Sequence, residues 1–395
     1  MYKLYCRIYQ NAFRAGSYVL PWRRPKRLGG YDALTTLLRD KNCDSVLIVT
    51  DKGLTALGLH EKLLTSITQA GISASIYDNT AQNPTIDNVE AALALYRDKN
   101  CRAIIGLGGG SSMDCAKGVG ARMARPKKTI HQLRGQLKVW LKMPLFIAIP
   151  TTAGSGSETS VAALVTDSRT NEKFAINDPA LIPHYMLHDP RLTVDLPPAL
   201  TATTGMDALC HAVEAYIGHS NTYRTQIDAI KAVRIIFRDL YTAYSDGQNL
   251  QARAHMQKAA YLAGAAFTRA YVGNIHAVSH ALSGQYGTPH GLANAVIMPY
   301  VLDMYGEAIE KPLWELAIAA ELSDIRTPKN IAARRFINAI WDMNKKMDIP
   351  DKISGINPAD IPMLASRALK EANPLYPVPV IFAHDDMVKV YEKIM

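Results

Sequence analysis

The chain has 395 residues, of which 48% are hydrophobic, and a formal net charge of +9. This length supports two domains, because single hydrophobic cores stop growing at about 250 to 300 residues. The five cysteines are scattered and form no Cys-x-x-Cys pair, which argues against a disulfide framework or a zinc knuckle and favours a reducing, cytoplasmic compartment.

The segment before Leu28 is basic, and we can assign no function to it. Its charges recur too often for the apolar core of a secretion signal, and no uncharged apolar run of about 18 residues predicts a membrane span. The positive charge is compatible with nucleic acid, but no nucleic-acid-binding module is recognisable. We therefore expect neither a nucleic-acid nor a membrane partner, and we attribute the charge to attraction of an anionic cofactor.

Along the first half of the chain, short apolar runs alternate with helical patterns. This alternation predicts βαβ units on a parallel sheet, that is, an α/β domain with Rossmann-like nucleotide binding. The predicted strands are 45–50, 73–77, 103–107 and 145–149, and the predicted helices lie near 60–70, near 85–98 and from Met113 onward.

The pattern changes near Pro197, where periodic segments rich in Ala, Leu and Tyr begin and strand-like runs become rare. We expect an all-α second domain. Asp-Pro and Pro-Pro pairs between Asp189 and Pro198 indicate the boundary. The predicted domains are therefore an α/β dinucleotide-binding domain, residues 1–195, and a helical metal-binding and substrate domain, residues 196–395.

A glycine-rich turn follows the third predicted strand, in the run Gly108-Gly-Gly-Ser-Ser112. Glycines let backbone N–H groups approach a pyrophosphate, and the start of the next helix adds its positive end. The spacing differs from the Rossmann fingerprint, since Met113 stands where its last glycine would be. A plain strand-to-helix turn would need fewer glycines, so we predict a phosphate site.

Two further segments follow strands of the same sheet. Asp51 comes after the first strand, where its carboxylate could accept the ribose 2′-hydroxyl of NAD and repel the 2′-phosphate of NADP; alternatively, it only begins a turn. The polar loop from Pro150 to Glu158 offers hydroxyls and backbone amides. Ligands of open α/β sheets bind at the carboxyl ends of the strands, where these segments lie.

Five side chains in the second half form a candidate metal site. Asp207 and His211 are four residues apart, as are His276 and His280, so each pair shares one face of a helix. His290 lies in turn chemistry that would bring it in from a loop. Four of these five would bind a divalent ion and leave a position open for a substrate oxygen. A lone histidine is more often a core residue, but the clustering favours ligands.

These motifs resemble those of iron-dependent (group III) alcohol dehydrogenases. The resemblance spans nearly the whole chain, through four ordered motifs: 108–114, 150–158, 205–211 and 288–295. It implies the fold of that family and of dehydroquinate synthase, with an α/β domain followed by a helical one. It also implies reversible hydride transfer between a small alcohol or aldehyde and a nicotinamide, and we expect a homodimer.

The resemblance also assigns residues. The implied metal ligands are Asp207, His211, His276 and His290, with Fe²⁺ as the expected ion and Zn²⁺ compatible with the same donors. His280 would then be a non-ligand near the substrate, which suits it to relay the alcohol proton. The implied contacts of NAD, which we expect in preference to NADP, are Asp51, Asn83, Gly108, Gly109, Gly110, Ser111, Ser112, Thr151, Thr152 and Lys173.

Two features leave alternatives open. Near Gln285 and Gly287 the family has bulkier residues, so the identity of the alcohol is undetermined. A metal-dependent lyase similar to dehydroquinate synthase shares the fold, although the segment 205–295 lacks the Lys, Arg and Asn array that its substrate needs. A non-catalytic, assembling relative is a third possibility, which the intact ligand set disfavours.

Overall fold

The computed structural model describes residues 1–170 and 172–395. Their contacts form two compact units. The α/β unit comprises Pro21–Thr152 and Ser157–Thr193, and the helical unit comprises Met1–Leu20, Ala153–Gly156 and Val194–Met395. The prediction that the chain divides into two domains between residues 195 and 196 stays a prediction.

The chain begins with helix α1 (Tyr2–Ser17) of the helical unit and continues into the α/β unit. The further elements, in chain order, are β1 (Lys26–Arg27), α2 (Tyr31–Asp40), β2 (Ser45–Val49), α3 (Lys52–Ala56), α4 (Glu61–Gln69), β3 (Ser73–Tyr77), α5 (Ile86–Asp98), β4 (Ala103–Gly108), α6 (Gly110–Ala124), α7 (Ile130–Leu133), β5 (Gly135–Gln136), β6 (Leu145–Pro150), β7 (Ala162–Asp167), β8 (Glu172–Asn177) and β9 (Tyr185–Met186). Two 3-10 helices, Pro179–Leu181 and Pro190–Thr193, complete this part.

Six parallel strands of the described residues form the main sheet, in the order β1-β9-β6-β4-β2-β3. The central strands β2 and β4 are buried along their whole length, which explains why they read as continuous apolar runs. Ile48 lies between Ile76 of β3 and Ile105 of β4 in the register. The predicted α/β fold class is confirmed.

Three features of this unit differ from the predictions. Strands β1 and β9 were not predicted, since two residues are too few to show a pattern. A second sheet in the described residues, β5-β8-β7, was also missed. Helix α6 begins at Gly110 rather than at Met113. Its start was predicted too late because glycine and serine are weak helix formers, although a first turn tolerates them.

The rest of the helical unit follows the boundary region. Residues 194–395 are all described and contain helices without strands, which confirms the predicted all-α region. The helices are α8 (Pro198–Ile217), α9 (Tyr223–Ser245), α10 (Leu250–Ala270), α11 (Asn274–Tyr286), α12 (His290–Tyr305), α13 (Glu310–Ala319), α14 (Lys329–Lys346), α15 (Ile361–Ala372) and α16 (His384–Ile394), with 3-10 helices at Gly306–Ile309 and Pro358–Asp360.

Helix α8 runs through the core of this unit, and every residue from Gly205 to Ile217 is buried. It packs on α9, α10 and α12. A Cβ on Gly205 would lie 2.2 Å from Leu240 Cδ1, so glycine permits the close approach of α9. Among the described residues, no helix has both the length and the apolar composition that crossing a membrane requires.

Candidate functional site

The four implied metal ligands come together inside the helical unit. One ligand atom from each of Asp207, His211, His276 and His290 lies within 4.8 Å of all the others. Asp207 Oδ1 is 3.9 Å from His211 Nδ1, 3.9 Å from His276 Nε2 and 3.6 Å from His290 Nε2. A carboxylate and three imidazoles thus face a common centre, with the donor atoms that divalent iron and zinc accept.

Three helices supply these side chains. Asp207 and His211 share one face of α8, and His276 lies in the first turn of α11. The prediction that His290 enters from a loop is wrong, because it is the first residue of α12. Gly287 ends α11 with a φ of +66°, and Pro289 caps the start of α12. The connection between the two helices is therefore residues 287–289, and His290 lies after it.

Burial keeps the His211 ring neutral. Its side chain is 7% exposed, and burial lowers the pKa of His211 to about 3, although Asp207 opposes that shift. Its Nδ1 is buried and has no hydrogen-bond partner among the described residues. Buried polar atoms are normally paired, and a neutral imidazole nitrogen aimed at a carboxylate and two further imidazoles is what a metal ion would satisfy.

Glu214 supports the cluster from behind. Its Oε2 lies 2.5 Å from His276 Nδ1, and its Oε1 accepts a hydrogen bond from the Ile275 amide at 2.9 Å. Burial lowers the pKa of His276, but the carboxylates around it, Glu214 first and then Asp207 and Glu371, together more than offset this, so the net direction is upward. The contact places the ring proton on Nδ1 and leaves Nε2 facing Asp207.

Glu214 was not identified as a site residue from the sequence. Its position seven residues after Asp207 and three after His211 puts it on the same face of α8, which was the available signal. Asn294 was missed as well. Its Nδ2 donates to Asp207 Oδ1 at 2.7 Å and lies 3.1 Å from both His276 Nε2 and His290 Nε2. Asn294 lies one turn after His290, so the same spacing argument applies to it.

His280 lies beside the cluster without joining it. Its ring stacks on His290, with 5.0 Å between the centroids, and its Nδ1 is 2.5 Å from Glu371 Oε1. Glu371 also accepts a hydrogen bond of 2.7 Å from the Tyr376 hydroxyl. Burial raises the pKa of Glu371, but His280 and Tyr376 lower it by more than burial raises it. The net direction is therefore downward, and the group stays a carboxylate. No sequence signal connects His280 with residues about ninety positions away.

The glycine-rich turn in the α/β unit has an open backbone. Gly108 ends β4 with a φ of +152°, and a Cβ there would lie 2.4 Å from Ser112 Oγ. Gly109 caps α6 without a side-chain hydrogen bond, so the amides of the first turn, which includes Gly110 and Ser111, keep their donors for a ligand.

The second polar loop begins next to this turn. The Thr151 amide donates to Gly108 O at 3.1 Å, and a Cβ on Gly109 would lie 3.3 Å from Thr152 Cγ2. Both residues were implied cofactor contacts, and the structure places them beside the glycine-rich turn.

Asp51 begins a turn, as one of its two sequence interpretations predicts, and it also lies beside the glycine-rich turn; its contact with a ribose stays a prediction. It caps the short helix α3 by accepting the Leu54 amide at 3.1 Å, as expected of a residue that begins a turn. Its other oxygen accepts a hydrogen bond of 3.4 Å from Ser112 Oγ, which places it beside the glycine-rich turn. Ser111 donates to the carbonyl of Gln82.

Asn83 and Lys173 also meet, because Lys173 Nζ donates to Asn83 Oδ1 at 3.0 Å. Asn83 follows Gln82, whose carbonyl Ser111 contacts, so this pair lies next to the glycine-rich turn along the chain. The implied cofactor contacts of the α/β unit thus form one connected group.

Comparisons with known proteins identify the family. The model of the family described as "Iron-containing alcohol dehydrogenase" matches residues 28–190. The model described as "Fe-containing alcohol dehydrogenase family, C-terminal" matches residues 201–395. The chain belongs to the iron-containing alcohol dehydrogenase family. The predicted family is confirmed, and α1 lies outside both matched segments.

Individual members of the iron-containing alcohol dehydrogenase family match nearly end to end. A 1,3-propanediol dehydrogenase of Klebsiella pneumoniae is 39% identical over 333 residues, which are 83% of this chain and 85% of that protein. An NAD-dependent methanol dehydrogenase of Bacillus methanolicus is 34% identical over 347 residues, covering 87% and 90% of the two chains. The solved structure of an alcohol dehydrogenase from Oenococcus oeni has a TM-score of 0.91 at 32% identity and covers 95% of this chain and 100% of its own.

Lys117 is a further buried group that was not identified from the sequence. It is 0% exposed, and its Nζ donates to Ser157 Oγ at 3.0 Å, Ser160 Oγ at 2.7 Å and Ala162 O at 2.8 Å. Burial lowers the pKa of Lys117 to about 8. Ser157 in turn donates to Asp114 at 3.0 Å. Lys117 therefore fastens α6, which follows the glycine-rich turn, to residues 157–162.

Proposed function

We propose that this protein is an iron- and NAD-dependent alcohol dehydrogenase that transfers hydride reversibly between a small alcohol or aldehyde and the nicotinamide C4. The observation that carries the proposal is the convergence of Asp207, His211, His276 and His290, with a buried imidazole nitrogen left unpaired. The family match supports alcohol oxidation over the lyase alternative, which no relative reported above supports.

The residues of the metal site have different roles in binding the ion. Asp207 supplies the negative charge, and Glu214 and Asn294 orient His276 and Asp207 respectively. A divalent ion bound there would act as a Lewis acid towards the alcohol oxygen. Zinc suits the same donors, so iron is assigned from the family and not from the geometry.

His280 receives the alcohol proton in this proposal. Because Glu371 accepts the hydrogen on Nδ1, the lone pair of His280 is on Nε2, which can take up a proton. The carboxylate of Glu371 then stabilises the imidazolium that forms, and Tyr376 holds that carboxylate in place. Proton transfer by a positioned side chain of this kind contributes about a hundredfold or more to turnover.

The α/β unit would bind the dinucleotide. The amides after Gly108 receive the pyrophosphate, and Thr151 and Thr152 flank it. Asp51, held beside Ser112, would accept the ribose 2′-hydroxyl and repel the 2′-phosphate of NADP. Asn83 and Lys173 act as a pair on the same cofactor. The NAD-dependent relative supports this choice of nucleotide.

The decisive experiment measures reduced nicotinamide formed from a panel of short alcohols and diols, with NAD or NADP, on enzyme loaded with Fe²⁺ or Zn²⁺. We expect NAD reduction that requires the metal. If metal-loaded enzyme reduces neither nucleotide with any alcohol, the proposed function is wrong, and a preference for NADP would remove the role of Asp51.

His280→Ala tests the proton route separately. We expect turnover to fall about a hundredfold and the pH profile of turnover to lose its dependence on one group, while the metal content stays the same. A variant with unchanged turnover and pH profile would eliminate this role. The predictions of a cytoplasmic location and of a homodimer remain predictions.

A further inference from the structure

Helix α1 presents an apolar face outward. Leu4 is 65% exposed, Tyr5 54% and Ile8 60%. The residues that share this face, at helical spacing, are Leu4, Tyr5, Ile8, Ala12 and Ala15. A surface helix normally turns its charged face to solvent, so the polarity of α1 is inverted relative to an ordinary surface helix.

The opposite side of α1 fastens it to the helical unit. Cys6 is fully buried, Gln10 Nε2 donates to Tyr376 O at 2.7 Å, and the Phe13 ring meets the edge of Tyr271 at 5.2 Å between centroids. Arg7 donates to the carbonyls of Val378 and Pro379, each at 2.7 Å. The packing of the unit therefore holds α1 in place without using its apolar face.

Positive charge borders that face. Lys3 and Arg14 lie along one edge of α1, and the first acidic residue of the chain is Asp32. At the carboxyl end of α1, Arg14 lines a cavity of about 550 Å³ together with Arg224 and Arg269. Tyr18 and Tyr223 line the same cavity and are 58% and 81% exposed. Three arginine residues line this cavity, and arginine side chains recognise the phosphate of a lipid headgroup.

We propose that α1 docks the enzyme on the surface of an anionic lipid bilayer. Its apolar face enters the boundary between headgroups and acyl chains, and its basic edge and the arginine-lined cavity contact lipid phosphates. Tyrosine suits such a boundary, because it has an apolar ring and a polar tip. A second copy of the chain fits less well, since two basic edges would then be brought together.

This proposal replaces the prediction of no membrane partner. That prediction depended on the missing apolar run of membrane-spanning length, which a helix lying in the interface does not need. Docking is independent of the proposed alcohol chemistry, because the outward residues of α1 contact none of the metal or cofactor residues.

The test is co-sedimentation of the full-length enzyme with vesicles of phosphatidylcholine alone or mixed with phosphatidylglycerol. We expect binding to the mixed vesicles that weakens as salt is added. The double variant Leu4→Asp/Ile8→Asp should bind at least about tenfold more weakly, because two charges would enter the apolar layer. Arg224→Glu should weaken binding about fivefold or more.

Matched controls come from an exposed turn of the same unit. Ile325 is 76% exposed, and Ile325→Asp and Arg326→Glu make the same chemical changes away from α1. Both should bind vesicles like the parent, and all variants should keep the alcohol dehydrogenase activity of the parent. Equal binding to both vesicle types, or unchanged binding of the α1 variants, would overturn the proposal. So would a parent that binds neither vesicle, or an α1 variant whose molecular mass in solution falls, which would assign the face to a second copy.

Discussion

The ligand cluster of the helical unit is built from side chains, whereas the glycine-rich turn of the α/β unit is built from backbone. Asp207 and the three histidines each supply one donor atom, and Glu214 and Asn294 orient them. Around Gly108 the groups that would bind the cofactor are backbone amides, and a ligand can approach them only where the residues have no side chain. Loss of a side chain should therefore harm the first region, and gain of one should harm the second.

Lys117→Met should produce the largest effect, and it tests whether the backbone-built region also needs a side chain. Removing one member of a buried polar network leaves its partners unpaired, so we expect the free energy of unfolding to fall by about 3 to 5 kcal/mol. Urea denaturation measures it. Lys99→Met is the control, since the Lys99 side chain is 55% exposed and its loss should change stability by less than about 0.5 kcal/mol.

The pH dependence of that effect follows from the lowered pKa of Lys117. The folded protein releases this proton near pH 8, whereas the unfolded chain keeps it up to about 10.5. The unfolded state binds more protons in that window, so the parent should gain stability relative to Lys117→Met as the pH rises through it. A difference that is flat with pH would show that the lysine titrates normally.

Asp207→Ala tests the side-chain-built region directly. Structural zinc sites with four ligands bind their ion with roughly 10 to 16 kcal/mol, so by that measure losing one ligand of four should cost about 3 kcal/mol, or over a hundredfold in affinity. Metal content after dialysis and NAD binding by calorimetry separate the two regions. We expect the metal to be lost and NAD affinity to be kept; an equal loss of both would contradict the comparison.

Gly108→Ala makes the reverse change in the backbone-built region. The new Cβ would clash with Ser112 and strain a φ of +152°, at a cost of about 1 to 3 kcal/mol. We expect the dissociation constant of NAD to rise by about tenfold for each 1.4 kcal/mol of this cost that falls on binding. The metal content should stay the same. Gly109→Ala is the matched variant. Its φ of −76° suits any residue, but its Cβ would lie 3.3 Å from Thr152 Cγ2, so it should weaken NAD binding and cost less stability than Gly108→Ala.

Glu214→Gln should give the smallest effect and sharpen the account of the ligand cluster. Glutamine keeps the shape and one acceptor but removes the charge that orients His276, so we expect metal affinity to fall about tenfold. Titration of the metal-free enzyme with Zn²⁺ measures this. An affinity equal to that of the parent would show that the hydrogen bond, and not the charge, positions the imidazole.

Sequence pattern predicted most of the fold because its signals are local. Strands β2, β3, β4 and β6 are apolar runs between turn residues. Helix α8 shows its two ligands, Asp207 and His211, at a spacing of four, and α11 shows the ligand His276 four residues before His280. The antiparallel pair β7 and β8 was missed because its strands alternate between buried and partly buried residues over six positions only, and polar residues stand at several of them.

The candidate site was predictable where its residues lie near one another in sequence. His211 and His276 could be proposed from spacing, whereas the contact of His280 with Glu371 joins positions 91 residues apart. Lys117 was missed for a different reason. A lysine within α6 looks like an exposed residue, and only the tertiary structure shows four acceptors around its ammonium group.

The four ligands are unequally shielded, since the side chain of His290 is 25% exposed while those of Asp207 and His276 are 6% and 2% exposed. Exchange of the ion with a chelator should therefore proceed from the side of His290, next to the short connection that Gly287 and Pro289 form. Stiffening that connection would slow the escape of iron during storage without any change in the donors themselves.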